Sequence, residues 1–129
     1  MILTPPLMLI TDDDRDFRET LREVFEPQGF RTILAGDGEE ALQIFRQEQI
    51  HVALLDMHMP RLTGLETAQR FRESRIEVPC ILLSAALDDV LVEAARQVPM
   101  FASLSKPVSF RDITRLVSAA MREAHQWPS

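Results

Sequence analysis

The residues of this chain that could do chemistry together are Asp12, Asp13, Asp56, Ser84 and Lys106. Asp56 closes the run Ala53-Leu54-Leu55-Asp56 and is followed by Met57-His58-Met59-Pro60. A short apolar run bounded by turn residues fits a strand buried on both faces. A carboxylate at its carboxyl end has no packing reason to be there, and in open α/β sheets that rim is where ligands bind. Carboxylates brought close together repel, and a proton or a cation must offset the repulsion. Mg²⁺ suits such a cluster, being a hard ion that takes one or two carboxylates and keeps several waters. No His/Cys set is present to favour zinc. Lys106 is a mobile point charge suited to a phosphate oxygen, and the Ser84 hydroxyl can donate to another. A carboxylate can itself attack phosphorus and form an acyl phosphate. Metal and lysine would stabilise the charge of the group in transfer. The set reads as a Mg²⁺-dependent phosphoryl acceptor with Asp56 as nucleophile.

Five strand–helix pairs must position these residues. Leu7 to Ile10 reads as the first strand, ending in Thr11-Asp12-Asp13-Asp14. Phe17, Leu21, Val24 and Phe25 then make one helical face, closed by Pro27 and Gly29. Arg31 to Ala35 is a second strand whose mixed character suits a sheet edge. Asp37 starts a second helix with Glu40 as capping-box partner, and Ala41, Ile44 and Phe45 face inward. The third strand runs from His51 to Leu55. Thr63-Gly64-Leu65-Glu66 opens a third helix to about Ser74, and Cys80 to Leu83 is a fourth strand ending at Ser84. Leu91, Ala94, Ala95 and Val98 mark a fourth helix, and Met100 to Leu104 a fifth strand leading to Lys106. Ser109 caps a last helix with Ile113, Leu116, Val117, Ala120, Met121 and Ala124 inward. The alternation predicts an α/β fold, a doubly wound five-stranded parallel sheet with helices on both faces. Right-handed crossovers then bring all strand carboxyl ends to one rim, where four of five positions are polar or charged.

Composition narrows the classes further. The chain of 129 residues suits one domain with one core: about 7–124, a leader over 1–6 and a tail over 125–129. A net charge of −6 argues against a nucleic-acid-binding surface. No apolar run approaches a membrane span, and the first residues lack the features of a signal peptide. Cys80 is the sole cysteine, which excludes an internal disulfide and reads as a buried small hydrophobe in a reduced, cytoplasmic setting.

Thr11-Asp12-Asp13-Asp14, Leu54-Leu55-Asp56-Met57-His58-Met59-Pro60 with Gly64, Leu82-Leu83-Ser84-Ala85 and Ser105-Lys106-Pro107 resemble the four signatures of bacterial response-regulator receiver domains (CheY-like). The resemblance covers nearly the whole chain. It implies a flavodoxin-like (βα)5 fold with strand order 2-1-3-4-5. It implies that Asp56 takes a phosphoryl group from a histidine kinase or phosphotransfer protein, with slow self-dephosphorylation rather than enzymatic turnover. Asp13 would bind Mg²⁺ directly, Asp12 mainly through water, and the backbone carbonyl of His58 would be a further ligand. Ser84 and Lys106 would contact phosphoryl oxygens. The bond before Pro107 is often cis in the family. The face of the fourth helix, fifth strand and last helix would serve an unidentified downstream protein or a homodimer.

Two positions depart from the pattern. Receivers usually carry Tyr or Phe three residues before the lysine; here it is Ser103, and Phe101, on the same side of an ideal strand, is a weak substitute. Pro99 stands where a glycine is usual. These departures motivate a second reading, a phosphate-independent interaction module on the receiver fold. A third, a Mg²⁺-dependent phosphohydrolase, lacks the nucleophile-x-Asp partner, since Met57 and His58 follow Asp56. Several residues carry plainer readings. Asp14 fits a helix N-terminus. The His58 side chain is expected to be exposed near the site, and the resemblance implies that it tunes the lifetime of the acyl phosphate, whereas His51 and His125 look structural or solvent-facing. Met57 and Met59 read as loop packing, and Trp127 as a cover for the last helix or a frayed end.

Overall fold

A computed structural model describes residues 4–74, 77–85, 93 and 97–127. Its elements run β1 (Leu7–Thr11), α1 (Arg15–Phe25), a 3₁₀ turn (Glu26–Gln28), β2 (Arg31–Ala35), α2 (Gly38–Gln47), β3 (Val52–Asp56), α3 (Gly64–Glu73), β4 (Cys80–Ser84), β5 (Ala102–Ser105) and a C-terminal helix (Phe110–His125). The five strands are all parallel in the order β2-β1-β3-β4-β5. The expected doubly wound architecture and strand order are therefore present.

Burial explains the composition of each strand. Every residue of β1, β3 and β4 is buried, so their apolar side chains can point to both faces. The two edge strands are mixed. Alternation splits the core in two. Leu7, Leu9, Ala53 and Leu55 pack with Ala41 and Phe45 of α2 and with Ala68 and Phe71 of α3. The Phe45 and Phe71 rings stack at 3.9 Å between centroids. Met8, Ile10, Val52, Leu54, Ile81 and Leu83 pack on the other face against Leu21 and Phe25 of α1 and Ile113, Val117, Ala120 and Met121 of the C-terminal helix.

The helix ends are set locally. Asp14 caps α1, Thr63 and Glu66 form a reciprocal capping box on α3, and Ser109 caps the C-terminal helix. Gly29 leaves the 3₁₀ turn at φ +103°, a conformation that suits a residue without Cβ. The α2 start differs from expectation. Asp37 accepts from the Glu40 N–H, but the Glu40 carboxylate accepts from the Gly36 N–H, one residue before the cap.

Three expectations at the carboxyl-terminal side are corrected. β5 spans Ala102–Ser105 rather than 100–104. Ala124 is exposed rather than buried. Phe101 precedes the first strand residue, so strand alternation does not govern it. It packs with Leu104 against the C-terminal-helix face, while Ser103 is exposed. Phe101 is therefore no substitute for an aromatic at position 103. Of the fourth helical face, Leu91, Ala94 and Ala95 lie outside the described residues; Val98 is half-buried.

At the amino end of the sheet, two histidines tie elements together. His51 Nδ1 accepts from the Leu7 N–H at 3.0 Å, and His125 Nε2 donates to the His51 carbonyl at 2.7 Å. Both are structural, as read. Trp127 stacks on Phe30 at 5.1 Å, which rules out a frayed end. Burial holds the His51 pKa below its ordinary value, with His125 and Arg31 adding to the effect. A histidine with a depressed folded pKa contributes stability that is lost as pH falls below the unfolded value, about 6.5. Thermal midpoints are therefore expected to fall between pH 7 and 5.5 more steeply in the wild-type protein than in His51→Gln. Equal slopes would show that His51 is not the linked group.

Candidate functional site

The carboxyl ends of the strands gather the residues singled out above. The sheet ladder carries one residue beyond its regular pairs: the Asp12 N–H donates to the Ala35 carbonyl (3.1 Å), Met57 to Leu83 (2.7 Å) and Lys106 to Ser84 (2.7 Å). These bonds fix the backbone at the rim. Asp12, Asp56 and Ser84 are buried at 1%, 3% and 0% exposure, whereas Asp13 is exposed. The Lys106–Pro107 bond is cis.

Lys106 joins the two buried acids. Its Nζ lies 2.8 Å from Asp12 Oδ2 and 3.3 Å from Asp56 Oδ1. The other Asp12 oxygen accepts from the Asp14 N–H at 2.8 Å. The His58 N–H donates to Asp56 Oδ1 at 3.4 Å. Burial raises the Asp56 pKa, and the negative charge of Asp12 raises it further; Lys106 and the His58 N–H oppose this only in part. Burial acts to lower the Lys106 pKa, but its bonds and charge contacts with Asp12 and Asp56 outweigh that and raise it.

Asp12, Asp13 and Asp56 each offer an oxygen within 4.8 Å of the others. Two of the three are buried, and one lysine is shared between those two. All three are hard oxygen donors, with no imidazole or thiolate in the cluster. The donor set therefore fits a hard divalent cation such as Mg²⁺.

Three contacts were not legible beforehand. Arg18 Nη1 donates to the Asp12 carbonyl at 2.6 Å and so braces the acidic loop from α1. Phe17 lies under Lys106, with Nζ 4.8 Å from its ring centroid. The Phe17 position on the apolar face of α1 was readable, but no spacing tied it to residue 106. The His58 ring, exposed as expected, reaches Ser84: Nε2 is 3.3 Å from Oγ.

Gly64 sets how closely α3 approaches β3. Its N–H donates to the Met57 carbonyl at 3.2 Å. A Cβ there would lie 2.6 Å from the Asp56 carbonyl oxygen and 2.7 Å from Leu82 Cδ1. Gly64→Ala is therefore expected to lower stability by about 1–3 kcal/mol and to slow any chemistry at Asp56. Urea unfolding checks this; an unchanged midpoint would mean that the loop relaxes freely.

Residues 8–118 match the family described as response regulator receiver domain. The transcriptional regulatory protein CpxR of Escherichia coli (strain K12) is 31% identical over 118 residues, covering 92% of this chain and 50% of CpxR. The chain spans about half the length of that curated relative. A CheY-like receiver domain protein from Methanospirillum hungatei JF-1 superposes with a TM-score of 0.90 at 21% identity, covering 95% of this chain and 98% of that one. CheY in a CheX–CheY–BeF3–Mg complex from Borrelia burgdorferi gives 0.84 at 26% identity, with 92% and 90% covered. Among the described residues no helix is long and apolar enough to cross a membrane.

Proposed function

The chain belongs to the response regulator receiver domain family of two-component systems, and from that premise we propose that it accepts a phosphoryl group on Asp56 from a histidine kinase or histidine phosphotransfer protein. The observation that carries this reading is the pairing of one lysine with two buried carboxylates from different strands, Asp12 and Asp56. A packing role explains neither the burial of the acids nor their convergence.

Asp56 supplies the attacking oxygen. Its bond to phosphorus forms as the bond from phosphorus to the donor nitrogen or oxygen breaks, and the leaving group takes up a proton. Lys106 donates to a phosphoryl oxygen and offsets its charge, and the Ser84 hydroxyl donates to another. Asp12, Asp13 and the His58 carbonyl would hold Mg²⁺, with Asp56 as a further ligand. When bound there, the ion would supply neutralisation of the charge spread over the phosphoryl oxygens. Burial and the Asp12 charge, offset only in part by Lys106 and the His58 N–H, raise the Asp56 pKa, and a carboxylate so placed favours a cation beside it. The receiver resets by slow hydrolysis of the acyl phosphate, and we assign it no turnover of a small substrate. Signal leaves by a shift between two states that the group on Asp56 biases. Exposed Ser103 and half-buried Leu104 leave part of β5 uncovered, which supports the expectation that β5 and the C-terminal helix belong to a partner or dimer face.

The Borrelia CheX–CheY complex holds BeF3 and Mg, and the same probe tests this chain. Calorimetric titration should show beryllofluoride binding only when Mg²⁺ is present, and neither ligand should bind Asp13→Asn as tightly. Beryllofluoride binding without Mg²⁺, or none with it, would count against the proposal.

A further inference from the structure

Phe17 closes a circuit of contacts that begins and ends at Asp12. The Asp14 N–H donates to Asp12 Oδ1 at 2.8 Å. Asp14 Oδ1 in turn accepts from the Phe17 N–H at 3.3 Å, one of the two bonds that cap α1. The Phe17 ring lies against Lys106, with Nζ 4.8 Å from its centroid. Lys106 Nζ returns to Asp12 through Oδ2 at 2.8 Å. Phe17 is half-buried and packs on the same side of the sheet as Leu104 and Val108. The ring that faces the ammonium is therefore held at its backbone by the acidic loop and through its side chain by the core.

A carboxylate holds an ammonium through particular acceptor atoms. The face of an aromatic ring attracts the same charge through its quadrupole, with no acceptor atom to lose. Lys106 divides its donors between Asp12 and, at 3.3 Å, Asp56. A phosphoryl group on Asp56 replaces the second partner, and the ammonium has to turn to meet it. The ring contact tolerates such a turn. The Lys106 side chain is 25% exposed, so solvent is the alternative from which it must be kept.

We propose that Phe17 is a positioning residue whose ring keeps the Lys106 ammonium at the acidic rim while its partner on Asp56 changes from a carboxylate oxygen to a phosphoryl oxygen. This deepens the phosphoacceptor reading and rests on it. Phe17 touches no reacting atom and makes no covalent bond; it acts through Lys106.

The test replaces Phe17 by phenylalanines that carry one, two or three ring fluorines. Fluorine draws electrons from the ring face and weakens its hold on a cation in steps, while the shape of the side chain hardly changes. Uptake of a phosphoryl group from acetyl phosphate is followed with Mg²⁺ at one fixed pH. The rate is expected to fall with each fluorine, by about two- to fivefold in all, the scale of one contact of this kind at a partly exposed site. Phe17→Leu should lose as much, and Phe17→Tyr, which keeps an aromatic face, should retain the wild-type rate. The fluorinated series decides the matter if Phe17→Leu lowers stability. A second readout needs no phosphoryl group. Thermal midpoints of the metal-free protein should fall along the fluorine series, and the same series in the Lys106→Met background should be flat. An uptake rate indifferent to fluorine, in a wild-type protein that is phosphorylated, overturns the role of Phe17 and leaves the phosphoacceptor reading standing. Equal falls of the midpoint in both backgrounds also overturn it, since the effect would not pass through Lys106. Failure of every protein, wild type included, to take up a phosphoryl group overturns the phosphoacceptor reading and the role of Phe17 with it.

Discussion

Asp56→Asn is expected to abolish phosphoryl uptake and, in the same protein, to raise the thermal midpoint. The first effect follows from loss of the nucleophile: an amide oxygen does not form a stable bond to phosphorus at the rate a carboxylate does. The second follows from electrostatics. The Asp56 side chain is 4% exposed and faces Asp12 with one lysine between them. Burial first, and the Asp12 charge second, raise its pKa. A carboxylate whose folded pKa lies above its unfolded value opposes folding once it is ionised, increasingly as pH rises through that range. Asparagine removes the charge and keeps an acceptor for the His58 N–H and for Lys106. A relief of about 1 kcal/mol corresponds to roughly 4 °C for a domain of this size. Calorimetry at pH 7 in chelator-containing buffer reads it. A fall of the midpoint would mean that the Asp56–Lys106 pair contributes more than its desolvation costs.

Removing the cation should act in the opposite direction. In Lys106→Met the aliphatic stem over Phe17 survives and the charge is lost. Asp12, at 1% exposure, then faces Asp56 without the Lys106 counter-ion. Breaking a fully buried pair on one side typically costs about 3–5 kcal/mol. Lys106 is itself 25% exposed, so the expected loss is smaller, about 2–3 kcal/mol. The sign of the pH dependence is fixed. Without Lys106 the folded pKa of Asp56 rises further, so the deficit is greatest at neutral pH. It shrinks as pH falls toward the ordinary aspartate range near about 4. In the wild-type protein the raised Lys106 pKa gives stability that is present below the ordinary lysine value of 10.5 and is lost as pH rises beyond it. Urea unfolding of both proteins from pH 4 to 8 checks this. A deficit that stays constant over that range would show that lost packing, not charge, is responsible. Mg²⁺ should recover part of the loss, since it offsets the same two acids.

Much of this was legible in the chain because the fold imposes simple rules on it. Three buried strands must be apolar on both faces, so an aspartate ending one of them stands out, and parallel topology brings the strand ends together without knowledge of any contact. Asp12, Asp13, Asp56, Ser84 and Lys106 could all be named for that reason. Backbone capping was equally plain at Asp14, Thr63 and Ser109, where the side chain and its target lie within three residues. What stayed hidden depends on side-chain direction over long sequence separations. Nothing in the spacing says that Arg18 turns back to the Asp12 carbonyl, or that the His58 ring crosses to Ser84, 26 positions on. Phe101 failed for a related reason: alternation holds inside a strand, and β5 starts one residue after it.

The most direct test of Asp56 as phosphoacceptor is intact-mass spectrometry after incubation with acetyl phosphate, with and without Mg²⁺, beside Asp56→Asn. The expected result is the gain of one phosphoryl mass by the wild-type protein only when Mg²⁺ is present, and no gain by the variant. The same gain in Asp56→Asn, or in the wild-type protein freed of Mg²⁺, would contradict it.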